Sequence, residues 1–87
     1  MAWTLRYSKR ARRDAELLQR SGLGGKTAKL LEVLIENPFS NPPPYEKLSG
    51  ALRNRFSRRI NRKHRILYEV LKDKKIVTVL QMWTHYE

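Results

Sequence analysis

Residues Phe56 to Leu71 constrain this chain more than any other stretch. Two runs rich in branched and aromatic side chains, Phe-Ser-Arg-Arg-Ile and His-Arg-Ile-Leu-Tyr-Glu-Val-Leu, flank Asn61-Arg62-Lys63. That is the pattern of a β-hairpin. With those three residues as the loop and Ile60 facing His64, Phe56 pairs Tyr68, Arg58 pairs Ile66, Ser57 pairs Leu67, and Arg59 falls opposite Arg65. Strand side chains alternate between faces. One face then carries Phe56, Ile60, Ile66, Tyr68 and Val70, a core surface with Arg58 and His64 at its margins, where His64 reads as structural. The other carries Ser57, Arg59, Arg65 and Glu69. Like charges directly across a ladder destabilise it. The opposed Arg59 and Arg65 therefore either turn away into water or hold something anionic between them.

The remaining elements follow in order. Trp3 to Tyr7 is short and alternates apolar with polar residues, which predicts a strand. Ser8 is placed to cap a helix running to about Ser21, with Gly22 as its stop and Ala11, Ala15, Leu17 and Leu18 as its apolar stripe. After Leu23-Gly24-Gly25, a second helix is expected from about Lys26 to Glu36, burying Leu30, Leu31, Val33, Leu34 and Ile35 and ended by Asn37-Pro38. Pro38, Pro42, Pro43 and Pro44 then make a stiff extended loop, which presents Tyr45 and Glu46 as its candidate site side chains. Beyond the hairpin, Ile76 to about Trp83 is apolar at nearly every position, as expected of a strand covered on both sides. The prediction is an α+β domain spanning 1–87: a small antiparallel or mixed sheet with an N-terminal strand and a C-terminal three-strand meander, and an αα-hairpin packed on one face.

Eighty-seven residues allow one domain with one modest core. With no cysteine, neither a disulfide framework nor a thiolate metal site is available, which suits a reducing cytoplasm. No signal peptide is expected from the N-terminus, and no apolar run approaches the ~20 residues needed to span a bilayer. Nineteen Lys and Arg against eight Asp and Glu give a net charge of +11, which favours a polyanionic partner. Glycine-rich phosphate loops, Gly-x-Ser-x-Gly turns and zinc-type spacings are absent. What remains is a set of arginines, the loop carboxylate Glu46 and a terminal His85-Tyr86. These are parts for metal-free cleavage of RNA: a base for the ribose 2′-OH, a cation for the phosphorane, and an acid for the leaving 5′-oxygen. On residue types alone the constellation is weakly specific. Glu46 reads as readily as a solvated carboxylate, and Arg10, Arg12, Arg13 and Arg20 as a solvated helix face. A non-catalytic RNA- or ribosome-binding protein, or a basic module for an acidic protein partner, fits the charge equally well.

Leu48-Ser49-Gly50, Phe56-Ser57-Arg58-Arg59-Ile60, His64-Arg65-Ile66-Leu67-Tyr68 and the terminal His85-Tyr86 resemble the YoeB/Txe branch of the RelE-type toxins. Those are ribosome-dependent mRNA endonucleases of bacterial type II toxin–antitoxin pairs. The resemblance implies a cytoplasmic, metal-independent and cofactor-free endoribonuclease acting in the ribosomal decoding site. It implies an acidic antitoxin of the YefM/Axe kind, the ribosome and mRNA as partners, no membrane, and a homodimer as one form of the free protein. By the same resemblance Glu46 is the general base, His85 the general acid and Arg65 the phosphate-stabilising cation. Tyr86 orients substrate, and Arg59, Lys47 and Arg58 are the further phosphate contacts. One departure stands out: a lysine three residues after the catalytic glutamate in related sequences falls here on Ser49, leaving Lys47 as the nearby basic residue.

The register of the last strand decides whether His85 can take part. A tight turn pairing Lys72 with Lys75 would join even-numbered residues of that strand to odd-numbered residues of its neighbour, and would send His85 to the core side. One step of register reverses every side chain. A catalytic His85 thus requires a three-residue turn, a β-bulge or a break in the strand near Thr84.

Overall fold

The computed structural model describes residues 2–42, 44–48 and 54–82. Five strands and two helices appear in the order β1 (Thr4–Tyr7), α1 (Lys9–Arg20), α2 (Gly24–Glu36), β2 (Glu46–Lys47), β3 (Arg55–Arg59), β4 (Arg65–Leu71) and β5 (Ile76–Gln81). They form one mixed sheet of order β1-β5-β4-β3-β2, with β1 parallel to β5 and the other neighbours antiparallel. Ala11, Leu18 and Leu34 of the helices share a core with Phe56, Ile66, Tyr68, Val70, Val77 and Val79 of the sheet. Among the described residues, no helix is long and apolar enough to cross a membrane.

Local chemistry accounts for the helix ends. Ser8 caps α1 by accepting the Ala11 amide at 3.0 Å. Its other end closes on Gly22, whose φ of 77° suits glycine, with Gly22 N donating to Gln19 O and Leu23 N to Leu18 O. The second helix begins two residues before the expected Lys26, because Thr27 N and Oγ1 both return to the Leu23 carbonyl. Leu34 is fully buried and Leu30, Leu31, Val33 and Ile35 half-buried, while Leu17 of α1 is exposed and Asp14 is buried instead.

The β3–β4 hairpin has the expected register: Phe56 opposite Tyr68, Ser57 opposite Leu67, Arg58 opposite Ile66 and Arg59 opposite Arg65. Asn61 holds the loop by accepting the amides of Lys63 and His64 on its side-chain oxygen. Two features differ from expectation. Glu46 and Lys47, expected in a loop, pair with Ser57 and Phe56 as an edge strand. The last strand is not covered on both sides: Val77 and Val79 are buried, but Thr78 and Leu80 are only half-covered, because the helices lie on one face.

The last strand also carries the irregularity that parity demands. Leu71 pairs Ile76 across a turn of four residues whose last, Lys75, takes a φ of 54°. This gives the same even-to-odd register as the tight turn, and it continues to Tyr68 opposite Val79. The next pair is Leu67 opposite Gln81, so Leu80 is the extra residue of a bulge. Helix α1 supports it from the side. Ser8 Oγ donates to the Leu80 carbonyl at 2.6 Å, and Met82 N donates to Asp14 Oδ2 at 3.0 Å. Past the bulge the alternation is reversed: Met82 turns into the core and Gln81 joins the face of Leu67.

Candidate active site

The segment carrying Glu46 is fixed to the sheet by aromatic contacts and one arginine. Phe39 meets Trp3, Tyr45 and Phe56 edge-on at ring-centroid distances of 6.2, 6.1 and 5.3 Å. Tyr45 packs edge-on against Phe56 at 5.8 Å. Arg58, 1% exposed, donates through Nη2 to the carbonyls of Pro38 (2.9 Å) and Ser40 (2.8 Å), and through Nε to the Tyr68 hydroxyl at 3.2 Å. Its guanidinium also lies over the Tyr45 ring at 5.1 Å. Tyr68 donates onward to the Pro38 carbonyl at 3.0 Å. Burial pushes the Tyr68 phenol above its ordinary value of 10.0, with the Arg58 charge pulling the other way.

With Tyr45 turned toward the core, strand alternation turns Glu46 to the opposite face. There Pro44, Tyr45, Glu46, Ser57, Arg59 and Arg65 line an open pocket of about 190 Å³. Glu46 Oε2 lies 3.4 Å from Arg65 Nη1; the carboxylate side chain is 66% exposed and the guanidinium 14%. One of the two opposed arginines, Arg65, thus meets an anion, the chain's own carboxylate. Arg59 is exposed beside it. One row further along the same face, Arg55 and Glu69 pair at 3.7 Å.

The candidates named from sequence therefore divide. Glu46, Arg59 and Arg65 come together in one pocket, from β2, β3 and β4. Arg58 does not: it is buried on the core face, where it donates to the Pro38 and Ser40 carbonyls and the Tyr68 hydroxyl, and it is outside the pocket lining. Lys47 pairs with Phe56 and alternates to that residue's face, outside the pocket lining. His85, Tyr86 and Ser49 lie outside the described residues. Ser57 lines the pocket and was not singled out; the signal was present in its place between Arg59 and the expected pairing partner Leu67. Among the described residues, no group of three or more His, Cys, Asp or Glu is gathered that could hold a metal ion.

The family described as YoeB-like toxin of bacterial type II toxin–antitoxin systems matches residues 6–86. The chain belongs to this family. Comparison with curated proteins finds no matching sequence. Solved structures agree with the family. A YoeB/ParE toxin from Agrobacterium tumefaciens superposes with a TM-score of 0.84 at 28% identity, covering 95% of this chain and 99% of that one. YoeB in the YoeB–YefM complex from Staphylococcus aureus gives 0.79 at 26%, covering 99% and 100%. The E. coli DinJ–YafQ toxin–antitoxin complex gives 0.82 at 19%, over 98% and 94%, a likeness of fold. The pocket of Glu46, Arg59 and Arg65 thus lies on a YoeB-like scaffold.

Proposed function

We propose that this YoeB-family chain is an endoribonuclease that cuts mRNA on the ribosome by attack of the ribose 2′-OH on its own phosphodiester. The observation that carries the reading is the meeting of Glu46 and Arg65, 3.4 Å apart, in a pocket that also holds Arg59. Glu46 takes the 2′-OH proton as general base. Arg65, assisted by Arg59, stabilises the negative charge that grows on the phosphorane, a role for which fixed cations are well suited. Arg65 supplies the positive charge, so the step needs no metal or cofactor. His85 gives a proton to the departing 5′-oxygen, and Tyr86 orients the nucleotide. The bulge at Leu80 supports that reading, since it puts the odd-numbered Gln81 on the face of Leu67, the parity that a catalytic His85 requires.

Exposed Arg6, Arg10, Arg12, Arg13 and Arg20 give the first strand and helix α1 a basic surface, suited to ribosomal RNA. The protein works in the cytoplasm, where its substrate is. By analogy with the S. aureus toxin crystallised with YefM, a cognate acidic antitoxin silences it. Analysis of the ends of mRNA from programmed ribosomes tests the reaction. A 2′,3′-cyclic phosphate (or its opened 3′-phosphate) with a 5′-OH is expected. Ribosome binding without new ends would make the chain a non-catalytic binder.

A further inference from the structure

One row of residues crosses the outward face of the sheet: Glu46, Ser57, Leu67 and Gln81 stand in register on four neighbouring strands. Ser57, on β3, is 1% exposed, and its Oγ is buried with no hydrogen bond among the described residues. Buried hydroxyls nearly always find a partner, and leaving one unpaired is unfavourable. An acceptor stands next to it. Cross-strand partners hold their Cβ atoms roughly 4.5–5.5 Å apart on one face, and Ser57 and Glu46 line the same pocket. In the ligand-free chain the Glu46 carboxylate leans instead on Arg65.

Building on Glu46 as the base, we propose that Ser57 is a positioning residue, whose buried hydroxyl donates to the Glu46 carboxylate once a substrate phosphate has taken Arg65. A phosphodiester offers Arg65 two oxygens in bidentate geometry and so competes with the Glu46 carboxylate for its donors. The displaced carboxylate then needs a fixed donor on one oxygen so that the other points at the 2′-OH. Ser57 meets that need from the rigid interior of the sheet. It keeps its proton throughout; the 2′-OH proton goes to Glu46. Direct contact of Ser57 with RNA is disfavoured because its oxygen is sealed beneath the pocket surface.

Single-turnover cleavage by the full chain on mRNA-programmed ribosomes, followed against ribosome concentration, tests this. Among the described residues, the charged and titratable groups lining the pocket with Glu46 are Arg59 from β3, Arg65 from β4 and Tyr45, which immediately precedes Glu46. Those stay in place in Ser57 variants. Ser57→Ala should lower the maximal rate about tenfold with half-saturation by ribosomes unchanged. Ser57→Thr, which keeps the hydroxyl, should restore the rate. Should the alanine variant fold poorly, the near-isosteric Thr and Val variants make the same comparison. A wild-type rate in Ser57→Ala, or a change in half-saturation alone, overturns the proposal. Glu46→Gln in the same assay separates the two ideas. If it cleaves at the wild-type rate, the reading of Glu46 itself fails; if it is inactive while Ser57→Ala is normal, only the role of Ser57 fails.

Discussion

Replacing Arg58 by methionine distinguishes a structural arginine from a phosphate-binding one. The substitution keeps side-chain bulk and removes the guanidinium. Hydrogen bonds to a charged group contribute about 1.5–3 kcal/mol each, and Arg58 makes two with the Pro38 and Ser40 carbonyls at 2.9 and 2.8 Å. Those two contribute about 3–6 kcal/mol before offsets, and the Nε bond to the Tyr68 hydroxyl at 3.2 Å adds to them. Two effects reduce the total. The Pro38 carbonyl keeps the Tyr68 hydroxyl at 3.0 Å as a donor, and removing a buried charge also removes its desolvation cost. A net loss of about 2–4 kcal/mol follows. In urea unfolding the midpoint should fall with an unchanged slope. By heat, the same loss lowers Tm by roughly 10–25 °C for a chain of this size. Arg58→Lys should fall between, since lysine keeps the charge but not the fork. A methionine variant of wild-type stability that has lost RNA cleavage would refute the reasoning and return Arg58 to the phosphate.

Three further outcomes are expected. Because burial raises the Tyr68 pKa in the folded chain, its contribution to stability is fully present below about pH 10 and lost as pH rises through the folded value. Urea midpoints should therefore fall through that alkaline range, and Tyr68→Phe should flatten the fall. Asp14→Ala strips the acceptor from Met82 N and should cost about 1–3 kcal/mol, read by urea unfolding. At permissive temperature it should also slow cleavage, because the bulge at Leu80 loses a support. Arg65→Ala should raise the barrier by about 3–4 kcal/mol in single-turnover cleavage while ribosome co-sedimentation is retained; the converse would make Arg65 a docking residue.

The hairpin was legible because its information is local. Alternation, the Asn61 turn and the pairing of Phe56 with Tyr68 leave one register. The need for an irregularity, a bulge being one of three forms, was legible too, as a matter of parity, but the supports of the bulge were not. Ser8 and Asp14 reach Leu80 and Met82 from 72 and 68 residues away, and nothing in a helical repeat marks Asp14 for burial. The edge strand at Glu46 was hidden for a similar reason. Two residues after a proline run carry no period, and only β3 makes them a strand. The burial of Arg58 was hidden because an arginine beside Arg59 suggests anions, whereas it donates to carbonyls 18 and 20 residues back in the proline-rich segment. Glu46, Arg59 and Arg65 were identified as a group, but their convergence in one pocket came only with the sheet.

The central claim is that the ribose 2′-OH is the nucleophile. It is tested most directly by programming ribosomes with an mRNA carrying a single 2′-O-methyl group on the nucleotide 5′ to the scissile phosphate. With no hydroxyl for Glu46 to deprotonate, cleavage at that bond should stop while the toxin still binds the ribosome and cuts the unmodified message. Cleavage of the methylated bond at the unmodified rate would contradict the account, because the attacking oxygen would then have to come from water or from the protein.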